Sequence, residues 1–299
     1  MIQKLYANTI GKYGKIYSLI RFLLRNYYNF IFPLQVQLKK KQSLSNDDKI
    51  IVSLTSFPKR IHKVWMVVET MFNQTHKPGK VILTLSELQF PDKKIPQKLL
   101  EQTQRGLEII WTKDDIRSHK KYYYTMQKYP NSIVITADDD ILYEKSLIEK
   151  LIEFHQKYPN YILCNSGALK IGENYLNWKR LFFQPTQPAF EVMQLGGTGT
   201  LYPPHSLYKD VFRKDIFLEI CPLADDIWLN AMTVLNDTKI LKTDYKYWQM
   251  PILYKDNVTL HSINNGQNQN TIQIGNLIQK YGEEFESKFI VNEEQEYAK

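Results

Sequence analysis

Apolar positions along the chain follow two different rhythms, and the change between them divides the sequence. Ile16, Leu19, Ile20, Leu23, Leu24, Tyr27, Phe30 and Ile31 recur at three- and four-residue steps. Ser18, Arg21, Arg25 and Asn29 fall opposite them, with Phe22 as the exception, so the spacing predicts an amphipathic helix. A polar, lysine-containing linker follows over residues 39–48. Beyond it, short apolar runs alternate with helical segments. Strands are expected at 50–55, 81–85, 107–111 and 132–136, and helices at 62–73, 95–105 and 117–129, the last two ended by Gly106 and Pro130. A helix at 145–158 and a strand at 161–165 continue the series. Strands alternating with helices at this spacing mean βαβ units, hence an α/β fold with a mainly parallel sheet flanked by helices. Functional groups then belong at the carboxyl ends of the strands.

The rhythm is lost over residues 167–204, which are rich in Asn, Pro, Gly and aromatics. Such a long irregular stretch in a compact domain is expected to be a functional surface. Helices at 206–219 and 226–236, a strand at 239–243 and a polar, Asn- and Gln-rich loop after His261 complete the chain, and residues 292–299 are expected to fray. There is no internal repeat. With 299 residues, 43% of them hydrophobic, the chain can build one domain with a sizeable core or two small ones.

Charge sets the N-terminal helix apart. Of 39 basic residues, eight precede Asp47, the first acid, and the remaining 31 match the 31 acidic residues. The whole excess of +8 therefore sits in residues 1–46, on Lys4, Lys12, Lys15, Arg21, Arg25, Lys39, Lys40 and Lys41, which argues against a nucleic-acid-binding surface. A spanning helix needs roughly 20 predominantly apolar residues. Arg21, Arg25 and Pro33 interrupt this one, so it is expected to lie in an anionic membrane surface, with packing on the main domain as the alternative. No small-residue cleavage site follows, so a signal peptide is not expected. Cys164 and Cys221 are too few for a disulfide framework and form no CxxC pair, which places the protein in a reduced, cytoplasmic compartment. The expected division is a docking arm over 1–46 and a catalytic domain over 47–299, with halves at about 49–165 and 166–290.

Asp138, Asp139 and Asp140 form the strongest local signal. Three consecutive carboxylates at the end of a buried strand repel one another and call for a compensating cation. Hard oxygen ligands suit Mg²⁺ or Mn²⁺ shared with a substrate's phosphates, whereas helix capping would explain one carboxylate and leave two. The first βα turn, Thr55 to Arg60, supplies hydroxyls and two cations but has neither GxGxxG nor a Walker lysine, which argues against dinucleotide oxidoreductases and P-loop enzymes. At the third strand's end, Asp115 can accept from a nucleobase or ribose, and Lys120 and Lys121 can meet a diphosphate, although a solvated helix start explains them too.

A βαβ half ending in Asp138-Asp139-Asp140 resembles the nucleotide-sugar half of a GT-A glycosyltransferase with its DxD motif. The stretch from Val52-Ser53-Leu54-Thr55-Ser56-Phe57-Pro58 to the triplet resembles bacterial enzymes that build capsular or lipopolysaccharide glycans. The resemblance covers about residues 49–265. It implies donor binding by Thr55, Arg60, Asp115, Lys120, Lys121, Asp138 and Asp139, and a Mn²⁺ or Mg²⁺ ion on Asp138, Asp140 and His261. It also implies a general base in Asp225-Asp226, which follow the triplet by 85 residues and depart from the usual Glu-Asp form, leaving open which of the two is the base. Helix capping is the competing explanation of that pair. Gly196-Gly197-Thr198-Gly199-Thr200-Leu201-Tyr202-Pro203-Pro204 resembles the flexible wall beneath the donor sugar, with a glycine turn that makes no contacts as the alternative, and Trp178 and Trp228 would stack on sugars or fill core. The implied protein is an inverting transferase of hexosyltransferase type, moving sugar from a UDP-sugar to a lipid-linked or polysaccharide acceptor at the inner membrane face. Alternatives are a retaining or sugar-phosphate transferase, or a non-catalytic module binding sugar nucleotide or glycan.

Overall fold

The computed structural model describes residues 2–47, 49–181, 184–246, 250–254 and 268–290. Helices α1 (Ile2–Ala7) and α2 (Lys15–Leu38) precede the alternating body. There β1 (Ile50–Thr55), α3 (Ile61–Phe72), β2 (Lys80–Ser86), α4 (Gln97–Thr103) and β3 (Leu107–Thr112) lead to α5 (Lys120–Lys128) and β4 (Ile133–Thr136). Next come β5 (Ile141–Leu142), α6 (Leu147–Lys157), β6 (Ile162–Cys164) and four short strands, β7 (Gly167–Leu169), β8 (Lys179–Leu181), β9 (Val192–Gln194) and β10 (Thr200–Tyr202). Helices α7 (Lys214–Ile220) and α8 (Asp225–Leu235), strands β11 (Ile240–Lys242) and β12 (Met250–Pro251), and α9 (Gln269–Phe289) follow.

Seven strands form one sheet in the order β11-β6-β10-β4-β1-β2-β3. All are parallel except β10, which runs antiparallel to both β4 and β6. Side chains alternate between its faces, as the two-residue period requires. Leu163, Leu201 and Leu241 enter the core with α3, α4 and α6, whereas Ile162, Cys164, Tyr202 and Ile240 enter the core with α5, α7, α8 and α9. Two smaller antiparallel sheets, β8-β7-β9 and β12-β5, flank the body.

The irregular region thus carries four strands, including one in the main sheet. At three residues each they are too short to show a period. The helix expected at 206–219 is divided: a 3₁₀ turn, Lys209–Phe212, and α7 meet at Arg213, whose ψ of 89° is not helical. Where a polar loop was expected, α9 spans 21 residues from Gln269. Its residues Ile274, Leu277, Phe285 and Phe289 are buried, Ile272 is exposed, and Gly282 at φ 82° kinks the helix. Helix α2 continues through Pro33, which removes one intrahelical N–H. Tyr28 and Phe32, buried in the core on adjacent turns, hold the helix together there.

Candidate active site

Strand β4 is central in the sheet, and its backbone is paired up to Ala137, whose N–H donates to Ser53 O at 3.0 Å. The chain then leaves the sheet with Asp138, Asp139 and Asp140 and continues as β5, which pairs with β12 outside the main sheet, so the triplet stands at a carboxyl edge. Each carboxylate has a separate fate. Asp139 is buried and accepts from Ser56 Oγ at 2.6 Å and Arg60 Nη1 at 2.7 Å. The same Arg60 nitrogen lies 2.9 Å from Asp140, and Asp138 accepts from Lys121 Nζ at 2.6 Å. Arg60 occupies the turn before α3, where its guanidinium also lies 5.4 Å from the Phe57 ring and 5.5 Å from the Tyr254 ring. The first βα turn therefore reaches the triplet through Ser56 and Arg60. Thr55 instead donates to Thr84 O at 2.8 Å.

Adjacent lysines at the head of α5 diverge. Lys120 pairs with Asp115 at the end of β3. Lys121 bridges the triplet and the acidic pair, lying 2.6 Å from Asp138 and 3.2 Å from Asp225. Two motifs 85 residues apart in sequence thus share one ammonium. Burial alone would lower the Lys121 pKa, but Asp138 and Asp225 outweigh it and hold the group well above its ordinary value. The same pairing keeps Asp225 below the ordinary carboxylate range despite burial. Asp226 is different. Burial and the neighbouring Asp225 charge push it up to about 7, and its side chain accepts only from the N–H of Ile227, at 3.0 Å, among the described contacts. Burial, followed by Asp138, likewise pushes Asp140 up to about 7.

Gly197 completes this face. A β-carbon there would lie 2.8 Å from Asp138 Oδ2, so a side chain cannot be added without moving the carboxylate. Tyr143 fixes the approach, accepting from the Asp138 N–H at 2.7 Å and donating to Gly197 O at 3.0 Å. Beneath the triplet, Ile252 N donates to Asp140 O at 2.7 Å and Tyr254 Oη to Asp139 O at 3.3 Å. Neither Tyr143 nor the 252–254 segment was marked by the sequence; their roles depend on contacts across the fold. Trp178 and Trp228 fill core, with their indole N–H groups donating to Gly172 O at 2.9 Å and Val211 O at 3.2 Å.

Five carboxylates face two internal cations here, and burial, with repulsion from the neighbouring carboxylates second, raises Asp140 and Asp226. The donor set is hard oxygen in negative excess, which fits a divalent cation at Asp138 and Asp140. Among the described residues no three His, Cys, Asp or Glu side chains are already grouped around a metal position. His261, the further ligand expected from sequence, lies outside the described residues.

No protein-family model matches the chain, and no curated protein matches its sequence. Solved structures do. The mannosyltransferase PcManGT from Pyrobaculum calidifontis, determined with GDP-Man and Mn²⁺, is 8% identical at a TM-score of 0.50, with 95% of this chain and 77% of that one covered. The fold is GT-A. Residues 1–349 of Staphylococcus aureus TarS align at 9% identity and a TM-score of 0.42, covering 78% of this chain and 72% of that one. An apo UDP-glucose pyrophosphorylase gives the same identity and TM-score over 78% and 98% of the two chains. At 8% identity it is the architecture alone that is shared with the mannosyltransferase.

Proposed function

We propose that the protein is a glycosyltransferase that moves a sugar from a nucleotide sugar, a UDP-sugar by the sequence resemblance, to an acceptor hydroxyl with inversion. The observation that carries this reading is the Lys121 bridge, because it sets a strand-end triplet suited to a diphosphate beside a carboxyl pair suited to proton removal. Of that pair, Asp226 is assigned as general base. Its carboxyl is poised near neutrality, where a base combines availability with driving force. Asp225, held ionised by Lys121, positions that ammonium. A Mn²⁺ or Mg²⁺ ion held by Asp138 and Asp140 would supply the charge that neutralises the leaving diphosphate. Arg60 and Ser56 keep Asp139 turned into the protein, while Tyr143, Ile252 and Tyr254 hold the triplet's backbone; Asp115 and Lys120 are assigned to the nucleoside end of the donor. Acceptors are proposed to be lipid-linked or growing glycans at the cytoplasmic membrane face. Residues 1–46 then form the docking arm, and 47–299 the transferase.

The test is turnover and donor affinity in Asp226→Asn and Asp225→Asn, measured separately. Asp226→Asn is expected to lower turnover by about 10² to 10⁴ with donor affinity kept. Turnover of the parent should fall as pH drops below about 7 and the base takes up its proton. Near-normal turnover in Asp226→Asn would remove the base assignment. Slow cation-dependent hydrolysis of a UDP-sugar by the parent distinguishes a transferase from a pure binding module, and the anomeric configuration of the product separates inversion from retention.

A further inference from the structure

Helix α2 is apolar on two faces. Inward, Tyr28 and Phe32 are buried in the core, with Leu24 and Ile31 packed beside them. Asn29 fastens this face to the body: its Nδ2 donates to Pro251 O at 2.9 Å and its Oδ1 accepts from Leu253 N at 3.0 Å. Outward, Ile16, Leu19, Leu23, Tyr27, Phe30 and Leu34 recur every three or four residues and are all exposed, Ile16 by 73% and Phe30 by 71%. A helix with one face already docked needs polar residues on the other to meet water, and a continuous exposed apolar stripe marks an interaction surface.

Charge selects the partner. No acid occurs before Asp47, and lysines bracket the stripe, Lys12 and Lys15 before it and Lys39, Lys40 and Lys41 after it. Arg21 is turned away from this role, donating to Thr9 O and Lys12 O at 2.8 and 2.9 Å and so fixing the chain after α1. A second copy meeting the stripe would bring cation against cation at both ends, whereas anionic headgroups complement them. With 24 residues α2 is about 36 Å long, and among the described residues no helix is apolar enough to cross a bilayer. Such a helix lies in the interfacial plane.

We propose that the outward face of α2 is a lipid-contact surface for anionic bilayers, held rigidly to the enzyme by the inward face and Asn29. This refines the docking-arm reading to one face of one helix, and its test reads out independently of sugar transfer. Full-length protein and a Leu23→Glu, Phe30→Glu double variant are floated with phosphatidylglycerol-containing and pure phosphatidylcholine vesicles at low and high salt. The parent is expected to bind anionic vesicles at least ten times better than neutral ones, with binding weakened by salt as the Debye length shortens. The double variant should lose at least ten-fold while keeping its melting temperature and its donor-induced thermal shift, because both positions are exposed. Undiminished binding by the variant, or no binding by the parent, overturns the proposal. So does a parent dimer in light scattering that the variant abolishes, which would make a second copy the occupant. Vesicle binding without any donor-induced shift would count against the transferase reading alone.

Discussion

At Gly197 one missing side chain lets the glycine turn close on the triplet. Gly197→Ala would press a methyl group against Asp138 Oδ2, 2.8 Å away, and displace the carboxylate. Turnover is expected to fall by about 10² for a shift on the order of 1 Å, with circular dichroism unchanged. Asp140 gives a prediction of opposite sign for stability. Its pKa rises from 3.8 to about 7 on folding, so the native state holds the proton more tightly and loses stability as pH climbs between those values. Asp140→Asn removes a charge that folding disfavours. In thermal melts at pH 8 it should be more stable than the parent, by roughly 1 kcal/mol after allowance for solvent screening, while losing cation-dependent donor binding. A lower melting temperature would show that Asp140 is a structural residue. The triplet's importance was legible because three adjacent acids at a strand end are costly in any fold. Their separate partners were not, since Ser56, Arg60 and Lys121 come from other strand ends.

Among elements, α9 shows where pattern reading fails and why. Its surroundings are rich in Asn and Gln and mask the pattern, yet Ile274, Leu277, Tyr281, Phe285 and Phe289 recur at three- and four-residue steps and pack the helix on α7 and α8. Leu277 is fully buried there. Leu277→Ala should destabilise the protein by about 3 kcal/mol in chemical denaturation, as expected for a core cavity. A change under about 1 kcal/mol would mean that α9 is peripheral. Strand β10 eluded the sequence for a different reason. Three residues cannot display an alternation, and only the gap between β4 and β6 determines that they pair antiparallel to both.

For the whole molecule, the arm and the body share one core. Phe32, from the arm, is buried among residues of the sheet-covering helices, so Phe32→Ala should cost about 3 kcal/mol and lower the melting temperature by roughly 5 °C. An unchanged melt would show the arm to be separable. By itself the sequence determined the alternating α/β order, the triplet at the end of β4, the acidic pair at the head of α8 and the confinement of excess charge to residues 1–46. These are local properties, readable from period, spacing and charge along the chain. Tertiary structure alone decided that Lys121 joins the triplet to the acidic pair, that Asp225 stays ionised while Asp226 is held near neutrality, and that α2 buries one apolar face and leaves the other open. Each depends on which distant groups share a low-dielectric space, and burial and Coulomb interaction act across the fold rather than along the chain.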